Sequence, residues 1–184
     1  MRNKPRRKAI DIPGHAHELT FSCYRGYRFL QRGRVRNWLV ESIDNARIKH
    51  GFALWAYVIM PEHVHLLIFP ESSTYSVAKI LADIKRPVGK QAITYLREQP
   101  DGQVWLAKLT RQRGKRVERV FWQSGGGYDR NVTEPATLWK VIDYIHNNPV
   151  RKELVKRAVD WTWSSAAWHE AGDVGPIELD VVAW

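Results

Sequence analysis

Val58-Ile59-Met60-Pro61-Glu62-His63-Val64-His65-Leu66-Leu67-Ile68-Phe69 is the stretch on which the fold turns. It reads as an apolar strand, a tight Pro-Glu turn and a second apolar strand that carries two histidines. Side chains two apart on a strand share a face. His63 and His65 therefore project together, while Val64, Leu66 and Ile68 point the other way, toward a core. Two imidazoles side by side on a rigid strand supply half of a divalent-metal site. The same pair also reads as two half-buried histidines, each satisfied by a local hydrogen bond.

Working outward, Phe52 to Met60 is the strand before the turn. Upstream of it, Arg34 to His50 has the helical spacing of Val35, Trp38, Leu39, Ile43 and Ala46, with Gly51 as the stop. His17 to Tyr24 alternates Leu19, Phe21 and Cys23 on one face and is a first strand. Tyr24 to Phe29 (YRGYRF) mixes arginine with aromatics around Gly26, a loop chemistry suited to phosphates and stacked bases.

Downstream, Pro70 ends the histidine strand and Ser72, Ser73 and Ser76 offer helix caps. Ser76 to Glu98 is a helix burying Val77, Ile80, Leu81 and Ile84, with Pro87 and Gly89 expected to kink or split it. Gln103 to Gln123 is expected to return to strand, with a hairpin tip at Arg113-Gly114-Lys115. Lys108 to Arg119 holds six basic residues against one acid. Ser124 to Tyr128 (SGGGY) reads as a three-glycine hinge. Thr133 or Asn131 is expected to cap the next helix, with Pro135 in its first turn.

This order of strand, helix, two strands, long helix, strand and helix predicts an α+β fold close to ferredoxin-like, an antiparallel sheet with helices on one face. The expected divisions are a basic arm at 1–13, one domain at 14–170 and a C-terminal tail at 171–184. In the arm, Arg2, Lys4, Arg6, Arg7 and Lys8 are either solvated or laid along a phosphate backbone.

The chain has 184 residues, enough for one domain with a proper core. Its 29 Lys and Arg against 19 Asp and Glu give a net charge of +10, which favours a polyanion partner, nucleic acid being the commonest. Nine tryptophans add candidate stacking platforms for unpaired bases. A lone cysteine, Cys23, excludes an internal disulfide or a Cys-rich zinc module. No apolar run has the length of a membrane span, and the basic N-terminal residues have no apolar stretch behind them. A cytoplasmic, nucleoid-associated protein is expected.

The helix from Thr133 to Asn148 buries Leu138, Val141, Ile142 and Ile145 as an i, i+3, i+4, i+7 stripe. Tyr144 and Asn148 lie within about 40° of each other on its flank, where a side chain can look into a cleft beside the sheet. Taken alone, Tyr144 is a packing residue with its hydroxyl in water. His146 reads as a surface or interface residue. His15 and His17, placed before the first strand, are weak candidates for nucleic-acid contact. Glu62 is either a solvated turn residue or a partner that orients a histidine. Trp161 and Trp163 read as anchors of the C-terminal segment.

MPEHVHLL followed by YIHNNPV, with FWQ between them and DWTWSSA after them, resembles the HUH single-tyrosine (IS200-like) transposases, most nearly the REP-associated tyrosine transposases. The likeness runs from about His17 to about Ala167. It implies that His63, His65 and Asn148 bind a divalent metal, Mg²⁺ or Mn²⁺, and that Tyr144 is the nucleophile. The implied activity is a DNA transposase that nicks and rejoins single-stranded or hairpin DNA through a 5′-phosphotyrosine, as a monomer or homodimer. A non-catalytic hairpin-binding protein of the same fold is the alternative, and a phosphodiesterase using water a third reading. Arg25, Arg28, Lys85, Arg86, Arg113, Lys115 and Arg116 are the expected DNA-binding residues. The Gly125–Gly127 run and the basic 108–119 segment stand outside the family pattern.

Overall fold

A computed structural model describes residues 10–183. The basic side chains of the expected arm, Arg2 to Lys8, lie outside the described residues. Four antiparallel strands form the main sheet in the order β2-β3-β1-β6, with β1 at Ala16–Ser22, β2 at Phe52–Ile59, β3 at His63–Pro70 and β6 at Tyr128–Val132. Helix α1 (Gly33–His50) links β1 to β2, and α2 (Val77–Glu98) follows β3. This is the ferredoxin-like βαββαβ plan. Helix α4 (Pro135–His146) follows β6.

The expectation that helices cover one face is corrected. Helices α1 and α2 pack on one face with Leu19, Phe21, Val64, Leu66 and Ile68, whereas α4 covers the other with Ala53, Trp55, Val58 and Leu67. The signal was β2 itself, FALWAYVI, an unbroken apolar run buried at every position rather than an alternating one. A bulge at Trp55 shifts the register between Leu54 and Ala56 and sends Leu54 and Tyr57 to the same core. The four stripe residues of α4 are buried, each worth about 1.5–3 kcal/mol.

Strand β2 is the sheet edge, and the C-terminal region closes it. Ile59 N–H donates to the Trp163 carbonyl at 2.8 Å, Tyr57 N–H to Ser165 Oγ at 2.9 Å, and Asp180 N–H to the Leu54 carbonyl at 3.1 Å. Trp161 Nε1 donates to the Ile59 carbonyl. Residues Ile177 and Leu179 enter the α1/α2 core, so this segment covers an open edge instead of trailing from the domain.

Four further expectations change. Helix α2 runs unbroken through Pro87 for 22 residues. Proline cannot donate to the carbonyl four residues back, that of Asp83, and the single Ser42 hydroxyl proton is shared between that carbonyl at 3.2 Å and the Ile84 carbonyl at 2.8 Å. Gly102–Lys108 is a helix, α3, where strand was expected, because burial of Leu106 from one side suits a short amphipathic turn. The hairpin is confined to β4 (Thr110–Arg113) and β5 (Arg116–Arg119), with Gly114 and Lys115 at its tip. Past the three glycines the chain enters β6, paired with β1, so Asn131 belongs to a strand and Glu134 occupies the N-cap of α4 without a side-chain bond.

Candidate active site

Helix α4 packs on β2 and β3, and between it and the exposed faces of β1 and β6 lies a cleft of about 710 Å³, lined by Glu18, Thr20, His65, Tyr128, Arg130 and Tyr144 among others. Strand alternation sends His63 and His65 to this side, their rings 4.9 Å apart and nearly perpendicular. Each imidazole is held at Nδ1. Glu62 Oε1 lies 2.9 Å from His63 Nδ1, and Thr20 Oγ1 lies 2.8 Å from His65 Nδ1. A carboxylate only accepts, so His63 Nδ1 is the donor and its Nε2 keeps a free lone pair. Thr20 Oγ1 can accept from His65 Nδ1, and in that tautomer both Nε2 atoms are left for a ligand. Of the two readings of Glu62, the geometry is that of the orienting partner.

Burial favours the neutral form of both imidazoles, the form that ligates metal. Burial pushes His65 down to about 3, with His63 and Arg151 adding to the shift. Burial also lowers His63, against the opposing pull of Glu62.

Tyr144 comes from the last turn of α4, 45% exposed, with its ring 5.7 Å from the His65 ring in an edge-to-face arrangement. The guanidinium of Arg151 covers the ring at 4.1 Å from its centroid. Asn148 is buried and opens the short helix α5 (Asn148–Arg151); its Nδ2 donates to the Tyr144 carbonyl at 2.9 Å. That bond ties the end of α4. Among the described residues no cluster of three or more His, Cys, Asp or Glu is gathered for a metal. The two imidazole nitrogens that β3 presents side by side are donors of the kind that suits a divalent ion with open positions for substrate oxygens.

A sequence profile of the transposase IS200-like family matches residues 14–148. The chain belongs to the IS200-like transposase family. A Haemophilus influenzae protein named as a REP-associated tyrosine transposase is 23% identical over 146 residues, 76% of this chain and 77% of that one. The structure of a REP-associated tyrosine transposase bound to a REP hairpin superposes with a TM-score of 0.67 at 18% identity, covering 100% of this chain and 94% of that one. The antiparallel sheet with its packed helices is thus the fold of that branch.

In this IS200-like transposase the expected DNA-binding cations fall in three places. Lys85 and Arg86 line a groove of about 990 Å³ between α2 and the β4–β5 hairpin, together with Lys90, Arg97 and Arg119 and no acid. Lys85 Nζ donates to the Gly125 carbonyl at 3.0 Å, while Arg86, Lys90, Arg97 and Arg119 make no ion pair among the described residues. Arg113, Lys115 and Arg116 sit exposed at or beside the hairpin tip, away from the cleft lining. Arg25, in a left-handed turn at φ 55°, and Arg28 flank the aromatic cluster of Tyr27, Phe29 and Trp105. Among the described residues no helix is long and apolar enough to cross a membrane.

Two histidines differ from expectation. His146 is buried, with Nε2 2.8 Å from Ser165 Oγ, and burial pushes it down to about 3. His17 lies inside β1, fully buried between Asp129 at 2.8 Å and the Tyr75 hydroxyl at 2.9 Å, and so cannot reach DNA. Thr20 and Arg151 were not placed in the site by the sequence. Arg151, seven residues after Tyr144, was findable as a same-face neighbour two turns on. Thr20 carried no local signal, because its partner His65 is set by strand register.

Proposed function

We propose that this transposase is a metal-dependent DNA strand transferase that nicks and rejoins single-stranded or hairpin DNA through Tyr144. The observation that carries the reading is the Tyr144 ring against His65, on an imidazole pair whose Nδ1 atoms are both occupied. A hairpin substrate is supported by the relative solved bound to a REP hairpin. His63 Nε2, His65 Nε2 and Asn148 Oδ1 would hold Mn²⁺, favoured by nitrogen donors, or the more abundant Mg²⁺. When bound, the ion neutralises the scissile phosphate and polarises its P–O bonds.

The chain's own residues do the rest. The Tyr144 oxygen attacks phosphorus, a P–Oη bond forms and the P–O3′ bond breaks. The phenolic proton passes to solvent and the leaving 3′ oxygen takes one up, giving a 5′-phosphotyrosine and a 3′-OH. One phosphodiester is exchanged for another, so a second 3′-OH can attack, release the tyrosine and rejoin strands without ATP. His65 and Arg151 hold the attacking ring from edge and face, which confines it to a narrow range of approach. Glu62 keeps His63 in the metal-binding tautomer, and Thr20 holds the orientation of the His65 ring.

The test is incubation with a hairpin oligonucleotide labelled 3′ of the nick, in Mn²⁺, followed by denaturing electrophoresis. The parent is expected to give a labelled protein band and Tyr144→Phe none, with hairpin binding retained. A Tyr144→Phe protein that forms the adduct moves the nucleophile elsewhere, Tyr128 at the cleft rim being next. A parent that binds hairpins but never forms an adduct is the non-catalytic alternative, and nicked product without adduct is the water-using one.

A further inference from the structure

The Gly125–Gly127 run joins two sites. Gly125 and Gly126 line the basic groove, and Tyr128, two residues on, lines the cleft of Tyr144 and His65. The sheet separates the two, since α2 packs on one face and α4 on the other. Between Gly126 and Tyr128 the backbone spans no more than about 7 Å. The glycine loop is therefore the crest between groove and cleft.

The fold accounts for two of the three glycines. Gly125 has φ +91°. Gly127 has φ +81°, and a Cβ there would stand 2.0 Å from the Thr20 carbonyl oxygen, so bareness lets β6 start against β1. Gly126 has neither constraint: its φ is outside the left-handed region and a Cβ would meet nothing within 4 Å. All three are exposed, and Lys85 pins the loop through the Gly125 carbonyl. A bare, open backbone position that folding does not require is what a close-passing ligand requires.

The groove names the ligand's charge. Arg86, Lys90 and Arg97 follow one another along α2 over about 16 Å, with Arg119 facing them from the hairpin and no acid in the lining. Its aromatic residues, Phe121 and Trp122, are buried and offer no stacking surface. Such a groove reads a phosphate backbone and not bases.

Building on the tyrosine strand-transfer reading, we propose that one DNA strand lies with its phosphates along the α2 groove, crosses the backbone at Gly126 and enters the cleft beside Tyr144. The groove is then a holding site on the opposite face of the sheet from the chemistry, and the crest sets where the strand turns.

The test compares Gly126→Glu with Gly126→Lys, two side chains of similar reach and opposite charge, with thermal melting to show that both fold. Binding of a fluorescent single strand long enough to span groove and cleft is followed by anisotropy against salt, beside a short strand that fills the cleft alone. Gly126→Glu is expected to weaken the long strand on the order of tenfold while Gly126→Lys does not. Neither should change the short one. Arg86→Ala with Lys90→Ala should reduce the salt slope for the long strand by about 1.4, roughly 0.7 per lost phosphate contact on a single strand. Equal affinities of the Glu and Lys variants for the long strand, or equal sensitivity of short and long strands, would overturn the path. These readings need no cleavage, so a parent that binds with this pattern but forms no adduct loses the catalytic reading and keeps the path. Adduct formation by the parent with no charge effect at Gly126 does the reverse.

Discussion

The cleft and the groove are built from opposite materials. In the cleft most polar side chains are held by another: Glu62 on His63, Thr20 on His65, Asn148 on the Tyr144 carbonyl, and Arg130 within 3.5 Å of Glu18. Burial raises Glu18 against the pull of Arg130, just as it lowers His63 and His65. In the groove, Arg86, Lys90, Arg97 and Arg119 have no carboxylate partner among the described residues. The difference follows from the tasks. Bond-making needs groups fixed to a fraction of an ångström in a set protonation state. Holding a phosphate backbone needs only mobile positive charge.

If that division is right, damage to the cleft should abolish chemistry and spare affinity. His63→Ala or His65→Ala is expected to eliminate nicking in Mn²⁺ while hairpin binding stays within a few fold of the parent. A double-alanine protein that still nicks in the presence of a chelator would break the comparison at its strongest point.

A milder cut removes only what holds the imidazoles. Thr20→Val and Glu62→Gln keep both nitrogen ligands and should lower metal affinity or nicking rate about 10–100-fold. Measuring the rate against Mn²⁺ concentration checks this, since recovery at high metal separates a positioning loss from a folding loss. No change in either variant would mean that the imidazoles hold themselves in place.

The groove should behave the other way. Neutralising Arg86, Lys90 and Arg119 together is expected to weaken hairpin binding and lower its salt slope by about 3, while the rate at saturating DNA is retained. A fall in saturated rate with an unchanged slope would place the groove in the chemistry.

The smallest effect belongs to the helix that forms one groove wall. Ser42→Ala leaves the Asp83 carbonyl, already deprived of a donor by Pro87, without its side-chain partner. A loss of about 1–3 kcal/mol is expected in denaturant unfolding, with nicking unaffected below the transition. Equal stability of parent and variant would show that water takes the place of Ser42.

Where the sequence was legible, a local rule sufficed. Gly51 ends α1 in the left-handed conformation its position suggested, with its N–H on the Arg47 carbonyl. The tip at Gly114 and Lys115 follows from turn chemistry between short basic strands. Legibility failed where the deciding partner was distant. Tyr-Asp-Arg-Asn-Val carries little strand character, and it becomes β6 because β1 presents a free edge to it. Pro87 breaks helices in isolation, yet Ser42 on another helix satisfies the carbonyl that proline strands. His146 looked like a surface residue on a helical wheel, and the C-terminal segment with Ser165 buries it.

By itself the sequence determined that His63 and His65 share a face, that Tyr144 flanks a buried stripe, and that a net charge of +10 seeks a polyanion. Each is a consequence of a repeat of 2.0 or 3.6 residues, or of simple composition, and needs no knowledge of neighbours. Only the tertiary structure decided that α4 lies on the histidine face and that Thr20 stands opposite His65. It also decided that the glycine run joins a groove on one side of the sheet to a cleft on the other. Those depend on strand order and register, which are settled by the burial of both sheet faces at once and not by any single stretch of chain.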